Sequence, residues 1–522
     1  MTSNSLKQNY PEGDARHLDD VDEILRKPNL CSTLEILAPL AIFTDPVLGM
    51  PHPLDYTDES DGNDIAATLR NSLHLWHVAY FAKAALLGSN PYRKSTLTFE
   101  QIIEAVNHYN QYDMPLSSNP TDEEILQATI RMAYQQFPYQ NVWWGGMNAA
   151  RFIYRKLSQT SALSLHERVI DLFGVEYNLL LDICVCLYMA VHNHVKTSRC
   201  PSFSFTDISH LLRWWDPPTL HKVIDGISQT QNEFRVNCEV NRSTNPNLRK
   251  YDFNPLLFKP VVRIGKRYYI PIPAMILLWA TEGIHYRLSE HAKNIVGNGG
   301  AFFGEFGHAF ESFVADLLDC SCRRYIPEAL IRNNKQKAAD FVLLEGNRAL
   351  IIECKTKRRH LKHKYGVIDA IDNDYKEVVH GLKQCISTET LIRNGTLKSP
   401  QFPELNNISE FFYAVVTLGD FYQANSYLMQ DRIRRALGVN LNYQVLSSRE
   451  LELMLANLKG LDIIPFMTAK AVARNPRPTS YKDDLYDWLA ELDRSDMNDP
   501  SEEIALALIR RLRDRIANLS QS

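Results

Sequence analysis

"KAADFVLLEGNRALIIECKTKRRH", residues 337–360, decides how this chain is read. Two apolar runs flank Gly346–Asn347, with glycine at the first turn position, as a two-residue type II′ hairpin requires. A turn there pairs 345 with 348, 343 with 350 and 341 with 352, and one step further Asp340 faces Glu353. Residues opposed in this way share a face, with Cβ atoms about 4.5–5.5 Å apart. Lys355, two residues beyond Glu353, returns to that face. The rest of the hairpin is apolar on both faces: Val342, Leu344, Ala349 and Ile351 on one, Phe341, Leu343, Leu350 and Ile352 on the other. Such strands are expected to be covered on both sides.

Two carboxylates set face to face in a covered sheet repel each other, and burial makes each reluctant to ionise. A divalent cation is the best compensation. Mg²⁺ (or Mn²⁺) takes hard oxygen ligands, accepting one or two carboxylates together with waters. Asp340 and Glu353 are the candidate metal ligands, with the backbone carbonyl of Cys354 as a further donor. Lys355 is then placed to hold an attacking water and to balance charge on a phosphate, while the ion lowers the water's pKa. The plain structural alternative is a salt bridge in which Lys355 neutralises one acid. An acid-x-Lys triplet alone is weak evidence; the register match is what favours a metal.

The surroundings carry the opposite charge. The net charge of the chain is −4, yet between Arg323 and Lys364 stand 12 Lys/Arg against four Asp/Glu. A basic stretch in an otherwise acidic protein points to a polyanion partner. The run that leaves the second strand, with Lys357, Arg358, Arg359, Lys362 and Lys364, would hold phosphates, giving affinity without sequence readout.

At 522 residues the chain is expected to hold two to four domains. Its 45% hydrophobic and 23% charged residues describe a soluble globular protein. The polar start reads as neither signal nor transit peptide, and the most apolar stretch, 177–195, is interrupted by Asp182, His192 and His194, so no membrane span and a cytoplasmic setting are expected. Nine cysteines fit a reducing compartment, and Cys184/Cys186 and Cys320/Cys322 read as filler rather than zinc ligands. Residues 63–88, 121–137 and 165–191 show helical periodicity, and the tryptophan pairs 143–144 and 214–215 are expected to pack in cores. A hairpin turning at Gly265–Lys266, an apolar helix and a glycine-rich hinge at 294–304 follow. After them come a helix, strands, a helix, a strand and a further strand with its helix, an order that calls for an α/β sandwich. The last helix opens with Asp499 as N-cap, Pro500 at N1 and Glu502 at N3, and its amphipathic face must dock on its own chain or on a second copy. The division expected is 1–250 helical and regulatory or targeting, 251–290 a hairpin–helix connector, 291–465 the α/β domain, and 466–522 a short helical C-terminal segment.

Asp340, twelve residues, then Glu353-Cys354-Lys355 at the end of a β-hairpin resembles the PD-(D/E)XK nuclease superfamily, with its restriction-endonuclease-like fold; Ala339 stands where that motif has proline. The resemblance covers about 300–420. It implies a preceding helix that carries a glutamate, for which Glu311 is the best match and Glu305 the second. It offers His308, one turn before Glu311, as a further metal contact, and Gln384, with Lys383 beside it, as an auxiliary residue on the following helix. The activity implied is metal-dependent phosphodiester hydrolysis, with Asp340, Glu353, Lys355 and Glu311 catalytic. The substrate implied is double-stranded DNA, in defence against foreign DNA or phage, with a homo-oligomer or a separate partner protein as further partners. The rival expectations are a nucleic-acid-binding or assembly protein of the same fold that does not cut, and an RNA-cleaving nuclease.

Overall fold

The computed structural model of the protein describes residues 15–44, 69, 72–112, 116–117, 119–139, 144–156, 164–198, 202–203, 214–243, 245–296, 299–331, 338–356, 368–396, 402–421, 424–472 and 499–520. It is mostly helical, with two mixed sheets.

The N-terminal helices begin at side-chain caps. Thr121 and Ser164 each accept from the backbone three residues on, while Glu124 and Glu167 reach back to the cap amide. The pattern over 165–191 is two helices, Leu165–Phe173 and Tyr177–Ser198, because Gly174 takes the left-handed conformation (φ +75°) that ends the first. Of the 63–88 run the described helix is Leu75–Gly88; residues 63–68 lie outside the described residues.

The first sheet joins β1 (Ser202–Phe203), β2 (Ser228–Thr230), β3 (Val261–Ile264) and β4 (Arg267–Tyr269) in the order β1-β4-β3-β2. β3 and β4 form the expected hairpin, with Gly265 at φ +60° in the turn. β2 adds parallel to β3, and β1 antiparallel to β4. A boundary at 250 therefore falls inside a sheet, and Val262, Tyr269 and Met275 share a core with Leu34, Phe81 and Tyr109.

The second sheet has β5 (Tyr325–Pro327), β6 (Phe341–Glu345), β7 (Arg348–Lys355), β8 (Glu410–Thr417) and β9 (Tyr443–Ser447), paired in that order. β5-β6 and β6-β7 are antiparallel; β7-β8 and β8-β9 are parallel. Gly346 turns the β6–β7 hairpin at φ +62°, while Asn347 stays at negative φ, as a type II′ turn has it. Both faces are covered. Phe341, Leu343, Leu350 and Ile352 pack with the helices Gly299–Cys320 and Ser448–Asn457. Val342, Leu344, Ala349 and Ile351 pack with the helices Ile368–Arg393, Tyr427–Leu437 and Asp122–Gln136. The last of these belongs to the N-terminal half, and Tyr134 Oη donates to the Asp420 carbonyl at 2.9 Å.

The glycine-rich stretch is not a hinge beyond residue 298. The helix Gly299–Cys320 runs through Gly304 and Gly307, because Phe302, Phe306, Phe310 and Phe313 are all buried at helical spacing. Tertiary burial of four aromatics outweighs the roughly 1 kcal/mol that each glycine costs a helix.

The C-terminal helix Pro500–Ser520 docks on its own chain. Asp499 caps it, accepting from the amides of Ser501 and Glu502, pairs with Arg449 and accepts from Trp144 Nε1. Arg511 pairs with Asp182. Trp215 is buried in the large core, and Trp144 and Trp214 pack against it; Trp143 lies outside the described residues. Cys184 and Cys186 are buried and Cys320 and Cys322 exposed, with neither pair in a metal-binding group among the described residues. Among the described residues no helix is long and apolar enough to cross a membrane.

A candidate catalytic site at the open end of the β6–β7 hairpin

The hairpin register decides what meets at its open end. The ladder runs from Glu345 opposite Arg348 to Phe341 opposite Ile352, and Asp340 stands one residue beyond that last pair. Its backbone is held on both flanks: the Ala339 amide donates to Thr388 Oγ1 at 2.7 Å, and the Glu328 amide donates to the Asp340 carbonyl at 2.7 Å. Its side chain accepts from the Cys354 amide at 2.6 Å. Within a strand, the amide and carbonyl of one residue point to the same edge. The Cys354 carbonyl is thus turned toward the Asp340 side, away from β8.

Glu353 is 3% exposed. One of its oxygens accepts from Lys355 Nζ at 2.5 Å, and Lys355 also donates to Gln384 Oε1 at 2.8 Å. The other, Oε2, is buried and has no hydrogen-bond partner. Such an atom costs about 1–3 kcal/mol or more when it carries charge. Two other glutamates are buried as deeply, and both differ. Glu345 accepts from the amides of Ile463 and Ile464 and pairs with Arg323; Glu452 accepts from Asn148 and Ser501 and pairs with Arg449. Both of these are satisfied at both oxygens, whereas the half-buried Glu404, paired with Arg324, has like Glu353 an unpartnered Oε2. Glu353 is satisfied at one, so the Lys355 salt bridge accounts for half of it.

The electrostatics of the group follow from burial. Desolvation, and then the charge of Asp340, push the Glu353 carboxyl up to about 8. Desolvation raises Asp340 to about 6, against the hydrogen bond from Cys354, with Glu311 and Glu328 adding to the rise. Burial likewise raises Glu311. Four acids and Lys355 therefore sense one another at the end of the hairpin.

Glu311 projects from the helix Gly299–Cys320 into that field. Among the larger perturbing charges, Asp340 and Glu353 both feel Glu311. The three acids Asp340, Glu353 and Glu311 are not drawn together as a closed cluster; among the described residues their ligand atoms do not all lie within 4.8 Å of one another. His308 is 82% exposed at its side chain, with Nδ1 3.6 Å from Glu311 Oε2. Of the pair on the helix Ile368–Arg393, Gln384 reaches Lys355 and Lys383 points outward. Lys357, Arg358, Arg359, Lys362 and Lys364 lie outside the described residues.

Two residues of the site escaped the sequence reading. Glu328 follows β5 and joins the acid group, but its placement depends on how β5 pairs with β6 across a long connection, which no local pattern sets. Gly381 is the other. A Cβ there would stand 3.3 Å from Glu353 Cγ, 3.3 Å from Lys355 Cε and 3.2 Å from Val415 Cγ2, so this glycine lets the helix lie against the site. Its position three residues before Gln384, on the same helix face, is the signal that could have found it.

Compared with known proteins, the chain matches no family model, no curated protein and no solved structure.

Proposed function

We propose that this chain is a divalent-metal-dependent nuclease that hydrolyses phosphodiester bonds, with its site at the end of the β6–β7 hairpin. The observation that carries the reading is the orphaned Oε2 of buried Glu353 beside Asp340. A buried acid pair with an unused oxygen has room for a cation besides Lys355, and the donors at hand are hard oxygens that suit Mg²⁺ or Mn²⁺. Asp340, Glu353 and the Cys354 carbonyl would hold it, with Glu311 reaching in from the helix. When bound, the ion supplies Lewis-acid charge stabilisation and makes water a better nucleophile near neutral pH.

The chain's own residues do the rest. Glu353 and Gln384 fix the Lys355 ammonium from two sides, which leaves its third donor for a water or a phosphate oxygen. Gly381 keeps the helix close enough for that grip. The sheet order, with an antiparallel hairpin next to two parallel strands and helices on both faces, supports a restriction-endonuclease-like domain. Double-stranded DNA as substrate, and defence against foreign DNA or phage as setting, rest on the resemblance of the motif.

Incubation of the full chain with labelled plasmid, linear DNA and RNA, with Mg²⁺, with Mn²⁺ and with EDTA, tests the reading. Metal-dependent cleavage that disappears in Asp340→Ala and Lys355→Ala supports it. Cleavage of RNA alone would assign the RNA substrate instead. Binding without cleavage by the unaltered chain would make it a silent nucleic-acid-binding protein.

A further inference from the structure

We propose a second metal site, one for a transition ion such as Zn²⁺, where the helix Ala15–Arg26 meets the helix Phe99–Gln111. His17 and Asp20, one turn apart, come from the first helix and His108 from the second. Nδ1 of His17 lies 3.5 Å from Nδ1 of His108, and that nitrogen lies 3.4 Å from Asp20 Oδ2. One ligand atom from each residue falls within 4.8 Å of the other two, and no other three such side chains among the described residues come so close.

The spacing is that of ligands around an ion. Nitrogen and oxygen donors about 2.0–2.1 Å from tetrahedral zinc are separated by about 3.4 Å along each tetrahedral edge. Two of the three edges here have that length. Without an ion the one proton on His108 Nδ1 has to serve both His17 Nδ1 and Asp20 Oδ2, so the two contacts compete for it. His17 and Asp20, one turn apart on the first helix, thus converge on a single atom of the second, His108 Nδ1. The neighbouring acids are otherwise engaged. Arg249 lies 2.8 Å from Asp19 and 3.5 Å from Asp22, so Asp20 alone of the three turns to the histidines.

The donor set selects the ion. Imidazole with one carboxylate suits zinc and its first-row neighbours and is a weak set for Mg²⁺, the reverse of the hairpin site. Three protein ligands, with Asp20 half exposed, leave a coordination position open to solvent. His17 and His108 are 91 residues apart, so an ion held between them clips the first helix to the body of the N-terminal half. The inference is independent of the nuclease reading.

The test uses the full chain stripped with chelator, with Co²⁺ as spectroscopic probe and Zn²⁺ as stabilising ligand. The unaltered protein should take up one Co²⁺ with the visible absorption of a low-coordinate nitrogen and oxygen site, and Zn²⁺ should displace it and raise the thermal midpoint by about 3 °C. His17→Gln and His108→Gln should lose the absorption and the stabilisation, while an Asp340→Ala/Glu353→Ala double variant keeps both. If a histidine variant fails to fold, Asp20→Asn, altered at the surface, should bind Co²⁺ at least about tenfold more weakly. Stabilisation equal in all variants, no cobalt absorption, or an intense thiolate spectrum that vanishes in Cys320→Ser/Cys322→Ser would each overturn the proposal.

Discussion

Gly381 lies directly against Glu353: a methyl group on its Cα would come within 3.3 Å of the glutamate's Cγ. The same methyl would meet Lys355 Cε and Val415 Cγ2, so it would press on the acid and the ammonium together. Gly381→Ala sets two effects against each other. Helix propensity favours alanine by up to about 1 kcal/mol, while the contacts force Lys355 and Glu353 aside by a few tenths of an ångström. The expected outcome is a protein of near-unchanged thermal midpoint whose cleavage rate falls by about tenfold, since small misplacements of catalytic groups are costly. An unchanged rate in Gly381→Ala would show that the positions of these two side chains do not limit activity.

The acid pair predicts an inverted pH dependence of stability for the ion-free protein. Glu353 is pushed from its ordinary 4.5 to about 8, and Asp340 from 3.8 to about 6, chiefly by burial. Both folded values lie above the unfolded ones. The folded chain therefore holds these protons more tightly, and the stability they contribute is complete below about pH 4 and lost as pH rises to about 8. In EDTA, chemical denaturation of the unaltered chain should show a loss, relative to Glu353→Gln, on the order of 3 kcal/mol between pH 5 and pH 8. Mg²⁺ should restore the difference at pH 8 and change little at pH 5, because binding must displace the protons. Parallel curves for the two proteins would mean that Glu353 ionises normally in the fold.

The hairpin shows how far sequence reaches here. The Gly346–Asn347 turn sets its own register, so the proximity of Asp340, Glu353 and Lys355 was legible from one short segment. Gln384 was legible only through family resemblance, since nothing local states which face of a 26-residue helix meets the sheet. Glu328 was not legible, because β5 finds β6 across residues that no pattern connects. The glycine-rich stretch failed for another physical reason: propensity treats glycines one at a time, and four buried phenylalanines outweigh them. The sheet that spans residue 250 was not legible either, because β1 and β2 come from before it and join the hairpin after it across connections that no local pattern sets.

Lys355 and Gln384 should separate in their effects. Lys355 supplies the only cation in direct contact with Glu353 among the described residues, whereas Gln384 holds Lys355 in place. Lys355→Met should lower the single-turnover cleavage rate by about 10²–10³, with DNA affinity within a few fold. Gln384→Ala should cost about tenfold, and Gln384→Glu should retain part of the rate by keeping an acceptor for the ammonium. A Lys355→Met protein that cuts as fast as the unaltered chain would exclude the ammonium from the reaction.

Glu345 offers the control that separates chemistry from structure on the same hairpin. It is buried like Glu353, but its oxygens accept from the amides of Ile463 and Ile464 at 2.8 and 3.0 Å, at the start of the helix Ile463–Val472, with Arg323 beside it. Removing it orphans two helix amides and takes the counter-charge from Arg323, whose nearly buried guanidinium keeps only the Leu458 and Leu461 carbonyls. Glu345→Ala should therefore destabilise the protein by about 3 kcal/mol and leave metal-dependent cleavage at low temperature nearly intact. Glu353→Ala should do the reverse, with cleavage abolished and the metal-free protein at pH 8 at least as stable as the unaltered chain, because a repelled, half-satisfied acid has been removed. Denaturant melts and cleavage rates of the two variants decide the matter, and equal destabilisation with equal residual activity would reduce Glu353 to a packing residue.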